Sequence, residues 1–277
     1  MRLSRVGAGV ALAVAGVVAT SGVASAKTQV VSAKAVTLAA ATATSTDDLF
    51  RFEWPPKSVY CPRNAAALAA GWSGAGAYVG EADVAFASPT GVWNYELRRS
   101  TFTGASRTAL LCIRGAGRVT HKTAARGTVS CGRNIAIGLP VYFGSPNHRA
   151  GGSFPVGVSR WKTDTGDHFA AKALCVPRKA FGAVRSVKKA GALPAGRVSA
   201  KVTVTCPARH RAIGWGYNVN EIPGYTPSRG VDRTVPYVSA SHPVGARKWR
   251  VQFTTPEGTP ATGRTPVRAY AVCGVPA

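Results

Sequence analysis

Cys206-Pro207, Ala212-Ile213-Gly214-Trp215-Gly216-Tyr217, Trp249-Arg250-Val251-Gln252-Phe253 and Ala269-Tyr270-Ala271-Val272-Cys273 follow one another near the end of the chain, and their order decides the fold. A shorter version occurs twice upstream. Cys61-Pro62 leads to Ala67-Leu68-Ala69-Ala70-Gly71-Trp72, then Trp93-Asn94-Tyr95-Glu96-Leu97, then Ala109-Leu110-Leu111-Cys112. Cys131-Gly132 leads to Ile135-Ala136-Ile137-Gly138, then Trp161, then Ala171-Lys172-Ala173-Leu174-Cys175. Val59, Val129 and Val204 each stand two residues before an opening cysteine. Cys and Trp are rare, so a shared order of both at a period of roughly seventy residues marks a repeat architecture. Each copy supplies one unit that buries its apolar face only against the others.

The units read as β-structure. Val198–Cys206 alternates as a half-buried strand, as do Trp249–Phe253 and Val267–Cys273. Gly151-Gly152, Pro223-Gly224 and Pro256-Glu257-Gly258 divide such runs. Ala65–Ala70 is the best local helix former and is too short to stand alone. Lys188-Lys189, before Gly191 and Pro194, reads as a solvated turn. The expectation is an all-β domain over residues 49–277 with three repeats, at about 57–114, 127–177 and 200–277. Its architecture would be β-prism-like, with a β-trefoil as the alternative.

Met1–Ala26 has the form of a secretory signal peptide: Arg2 and Arg5, a Gly/Ala/Val run, then Ala24-Ser25-Ala26. Residues 27–48 lack aromatics, Pro and Gly and are expected to be a flexible leader. No later run is long and apolar enough for a membrane span. In a secreted chain six cysteines imply three disulfides, with fifteen formal pairings. The repeat favours Cys61–Cys112, Cys131–Cys175 and Cys206–Cys273, each worth about 4 kcal/mol by loop closure. The formal charge is +24 with only 11 carboxylates. Such a field suits wall polymers, acidic polysaccharides or lipid headgroups, and nucleic acid only non-specifically; it also simply favours solubility.

The module Cys-Pro…Ala-Ile-Gly-Trp-Gly…Trp…Ala-Tyr-Ala-Val-Cys resembles the Cys-Pro…Gly…Cys repeats of small secreted actinobacterial proteins of unassigned activity. It is more loosely similar to the vitelline membrane outer layer protein I family, a threefold β-prism. That resemblance, over Val59–Cys273, implies a prism and, by fold analogy alone, glycan binding. The second copy departs from it at Gly132, which replaces Pro, and after Gly138, where no aromatic follows.

A catalytic constellation is hard to find. Gly71-Trp72-Ser73-Gly74-Ala75 misses G-x-S-x-G at its last position. Asp164-Thr165-Gly166 has no second triplet to share a proton with. Asp164, Asp167 and His168 lie close in sequence, but three such residues alone are a weak metal set. Glu81 and Asp83 read as a solvated strand face. No cofactor is expected. The five repeat tryptophans read as core, with sugar stacking as a minor alternative. The third copy alone has a long loop, Asn218–Val244, and long loops on rigid scaffolds often bind. Tyr217, Tyr225, Arg229, Arg233, Tyr237 and His242 are therefore the candidate contact residues. The expected protein is a monomeric, secreted, non-catalytic module contacting an anionic or glycan surface such as a cell wall. The alternatives are a secreted hydrolase with a dispersed site, or a protease inhibitor presenting Pro223–Pro236.

Overall fold

The structure, a computed structural model, describes residues 28–32, 36–38, 57–62, 64–74, 82–87, 92–97, 106–125, 127–138, 151–164, 171–219, 236–255 and 260–277. Among the described residues, nineteen strands fall in three successive groups. The first holds β1 (Gln29–Ser32), β2 (Val36–Leu38), β3 (Lys57–Tyr60), β4 (Ala65–Gly74), β5 (Ala82–Ala87), β6 (Val92–Leu97) and β7 (Ser106–Arg114). The second holds β8 (Thr120–Ala124), β9 (Thr128–Ser130), β10 (Ile135–Gly138), β11 (Gly152–Pro155), β12 (Arg160–Asp164) and β13 (Ala171–Val176). After a 3-10 turn (Arg178–Ala180) come β14 (Phe181–Leu193), β15 (Ser199–Thr205), β16 (Arg211–Asn218), β17 (Tyr237–Pro243), β18 (Lys248–Thr254) and β19 (Thr265–Pro276).

Each group pairs its strands by one scheme, antiparallel throughout. The strand leading into the opening cysteine pairs the strand that carries the third-position tryptophan: β3 with β6, β9 with β12, β15 with β18. The strand after the opening cysteine pairs the closing strand: β4 with β7, β10 with β13, β16 with β19. A hairpin lies between them: β5–β6, β11–β12, β17–β18. An outer strand covers each closing strand: β1 and β2 on β7, β8 on β13, β14 on β19. The three disulfides join Cys61 to Cys112, Cys131 to Cys175 and Cys206 to Cys273, with Cα separations of 5.7, 5.3 and 5.6 Å. Each holds the opening cysteine of its repeat to the closing strand.

The groups do not form a prism or a trefoil, contrary to expectation. Among the described residues the sheets are four and open, with seven, three, six and three strands, and none closes or curls strongly. The two large sheets are shared between groups. In one, β17 joins β4, giving β1-β7-β4-β17-β18-β15 with β2 also on β7. In the other, β11 joins β16, giving β14-β19-β16-β11-β12-β9. The smaller sheets, β10-β13-β8 and β3-β6-β5, each keep to one group. Three equivalent faces about one axis need three such shared junctions. The described strands make two.

Alternation explains the strands that the sequence marked. In β15, Val202 and Val204 are buried while Lys201 and Thr205 are exposed. In β18, Trp249, Val251 and Phe253 are buried and Lys248 is exposed. Ala65–Ala70, the best local helix former, is strand: pairing with β7 outweighs alanine's helix propensity, and its small side chains let both faces pack. Gly71-Trp72-Ser73-Gly74 continues the same strand. Lys188 and Lys189 sit inside the long strand β14, exposed, and the turn comes later at residues 194–198. The leader is likewise partly structured. Residues 29–32 and 36–38 pair with β7, and Val30 is buried in the core. The residues at which the folded part was expected to begin, 49–52, lie outside the described residues. Among the described residues no helix is long and apolar enough to cross a membrane.

Candidate functional site

Two hairpins dominate the shared sheets, and they are built alike. Trp161 and Trp249 are 1% and 0% exposed. Trp161 Nε1–H donates to Ser153 Oγ at 2.9 Å, and Trp249 Nε1–H donates to Ser241 Oγ at 2.7 Å. Both tryptophans face a proline across the hairpin, Pro155 and Pro243. Both turns carry a glycine at φ +77°, Gly157 and Gly245, where a β-carbon is unfavourable. Both turns also dock on the disulfide end of their group. Cys131 N–H donates to Ser159 O at 2.8 Å and Cys206 N–H to Arg247 O at 2.7 Å.

Each hairpin meets the neighbouring group at a glycine. A β-carbon on Gly216 would strike Ser153 O, Phe154 Cα and the Trp161 ring. One on Gly71 would strike Ser241 O, His242 Cα and the Trp249 ring. The absent side chain is what lets backbone lie on backbone. The sequence carries a signal for this that the Cys/Trp reading passes over. Ser153-Phe154-Pro155-Val156-Gly157 and Arg160-Trp161 match Ser241-His242-Pro243-Val244-Gly245 and Lys248-Trp249, position by position.

The opposite side of the β11–β12 hairpin is a different surface. Phe154 lies across from Lys162, and Tyr270 lies across from both Gly216 and Lys188. Phe154 and Tyr270 stack across the strand of Gly216, centroids 5.3 Å apart and planes 16° apart. Lys162 Nζ sits 5.9 Å from the Phe154 centroid and 3.4 Å from Asp164 Oδ2. Two residues along, Gly152 lies across from both Asp164 and Asn218, Asn218 from Arg268, and Arg268 from Ala190. Side chains two apart on a strand share a face. The six-stranded sheet thus presents the Phe154 ring, backed by Tyr270 and ringed by Lys162, Asp164, Asn218, Arg268 and Lys188. Phe154, Lys162, Asp164, Asn218 and Arg268 are half-buried, Lys188 is exposed, and Tyr270 is buried. Aromatic faces with polar donors around them suit a sugar ring, and the cations suit an anionic substituent.

The wider surface is cationic. Between Glu96 and Glu221 the only carboxylates are Asp164 and Asp167, against 21 Lys and Arg. Between described residues the structure forms one ion pair, Lys162–Asp164. Some of the cations brace the fold instead. Arg247 donates from Nε and Nη2 to Cys206 O at 3.2 and 3.0 Å, and Lys122 Nζ donates to Ser130 O at 3.2 Å. Arg178, Lys179, Arg185, Lys188 and Lys189 are exposed on the 3-10 turn and β14. On β8, partial burial first and the charge of Lys172 second hold His121 below its usual pKa.

The sequence candidates do not assemble as expected. Tyr217 and Tyr237 are buried, 4% and 7% exposed, and lie in different sheets. Tyr217 packs 6.3 Å from Trp215 as core rather than contact surface. His242 is half-buried on β17, across from Arg250. Tyr225, Arg229 and Arg233 lie outside the described residues, as do Glu81, Asp167 and His168. Asp83 lies across from Glu96 in a three-stranded sheet, whereas Asp164 belongs to the six-stranded one. Val219, the last described residue before Tyr225, Arg229 and Arg233 in sequence, has its N–H donating to Gly151 O at 2.7 Å. No protein-family model matches the chain, and no curated protein is similar to it.

Proposed function

We propose that this chain is a secreted, non-catalytic module that binds anionic glycans or wall polymers through the cationic surface of its six-stranded sheet. The observation that carries the reading is the charge balance: 21 basic residues against two carboxylates between Glu96 and Glu221. A field of that sign concentrates polyanions and releases their counterions on contact. Phe154, half-buried and backed by the buried Tyr270, supports a sugar-bearing ligand over a bare polyphosphate, since stacking adds to charge only where a ring is offered. The glycan part of the reading rests on this face and owes nothing to a prism.

The test is co-sedimentation of the mature protein with purified bacterial wall across a salt series, beside wall stripped of its anionic polymers. Binding that falls steeply with salt and is lost on stripping supports the reading. Binding that survives both treatments moves the interaction to a neutral glycan pocket. No binding to either leaves the charge as a solubility device and brings the hydrolase and inhibitor alternatives forward.

A further inference from the structure

The outer strand of each group occupies the same place, yet the first is tethered differently. β8 is followed by β9 after residues 125–127, and β14 by β15 after residues 194–198. These short links hold their outer strands in place. β2 and β3 are separated by residues 39–56, eighteen positions, which span up to about 60 Å when extended. That exceeds the width of a domain of this length.

The slot that the first outer strand fills is specific. Gln29, Val30, Val31 and Ser32 pair with Arg114, Ile113, Cys112 and Leu111, and Val36, Thr37 and Leu38 continue along β7 to Ser106. Thr28 and Val30 are 7% and 5% exposed, while Gln29 between them is exposed. Thr28 Oγ1–H donates to Gly115 O at 3.4 Å. Arg211, from the third group, donates from Nη1 to Val30 O at 3.0 Å and so clasps the strand from outside its own sheet. A ladder of main-chain bonds with side-chain sockets at alternate positions is how a sheet edge captures an extended peptide.

The geometry points to the outer edge of β7 being a strand-acceptor site, filled in cis by residues 28–32 and 36–38 and able to take the same strands from a second copy of this chain. The occupant is set by the register and by the Arg211 clasp, and the eighteen-position tether lets one copy's strand reach its neighbour. Exchange between two copies returns every contact made within one, so it proceeds with little change in free energy and follows concentration.

The experiment places a protease site within residues 39–56, cuts it in the folded protein, and adds a fluorescent peptide of residues 27–38. The label is expected to enter the protein, to be displaced by unlabelled peptide, and to bind about tenfold more weakly when Val31 is replaced by Pro, which removes a ladder donor. Arg211→Ala should weaken uptake about fivefold without altering the disulfides. No uptake, or equal uptake of the Val31→Pro peptide, overturns the proposal. If the cut protein precipitates, the intact chain decides. After warming at high concentration a dimer should appear by sedimentation, and should be absent in the Val31→Pro chain. A strictly monomeric intact chain overturns it.

Discussion

The hairpins β11–β12 and β17–β18 share their buried side and differ on the other. Ser153, Pro155 and Trp161 repeat as Ser241, Pro243 and Trp249, with the same indole hydrogen bond and the same docking glycine in the neighbouring group. On the outer side Phe154, Lys162 and Asp164 occupy the places of His242, Arg250 and Gln252. Tyr270, across from Gly216, has Ala109 as its counterpart across from Gly71. Arg250 is turned to Thr203 Oγ1 at 3.4 Å, whereas Lys162 points over an aromatic ring. The side that must pack is constrained to one solution. The outer side is not, and there the two hairpins carry different side chains.

The comparison breaks most easily at its tryptophans. Trp161→Ala and Trp249→Ala should each cost about 3–5 kcal/mol in chemical denaturation, since each empties a fully buried site and leaves a serine without its donor. Losses that differ by more than about 2 kcal/mol would show that the two hairpins are alike in shape but not in role. The docking glycines come next. Gly71→Ala and Gly216→Ala should each cost about 1–3 kcal/mol, because the added methyl meets backbone that cannot swing aside. A neutral result at either would mean that the junction yields.

The smallest effect lies on β8, away from both hairpins. The folded pKa of His121 is below 6.5, so the unfolded chain binds a proton at higher pH than the folded one does. Stability is therefore lost as pH falls through about 6.5. An NMR titration should find the midpoint below 6.5, and Lys172→Gln should raise it slightly. A midpoint at or above 6.5 contradicts the partial burial of His121 beside Lys172.

Much of the scaffold was legible because its determinants are local. Alternating Val, Trp and Phe in β15 and β18 announce half-buried strands, and six cysteines bracketing three copies announce the pairings that form. What was not legible depends on partners distant in sequence. Ala65–Ala70 becomes strand only because β7 lies beside it, and the leader pairs with residues some eighty positions away. Which copy's hairpin docks on which copy's glycine is likewise absent from any one repeat, and so the prism expectation failed at the level of sheets rather than strands. The site was misplaced for a related reason. Tyr217 and Tyr237 border the long third-copy loop in sequence, yet both lie in strands and are buried, while Phe154 and Tyr270, over a hundred residues apart in sequence, stack across β16.

The most direct measurement compares two double variants of equal charge on an anionic wall polymer at fixed salt. Phe154→Ser with Lys188→Gln alters the face of the six-stranded sheet, and His242→Ser with Arg250→Gln alters the corresponding face of the seven-stranded one. Each removes one positive charge at neutral pH. The first is expected to weaken binding by about fivefold or more, and the second to match the parent to within about twofold. Equal weakening by both would contradict this, and would mean that net charge rather than a particular face holds the ligand.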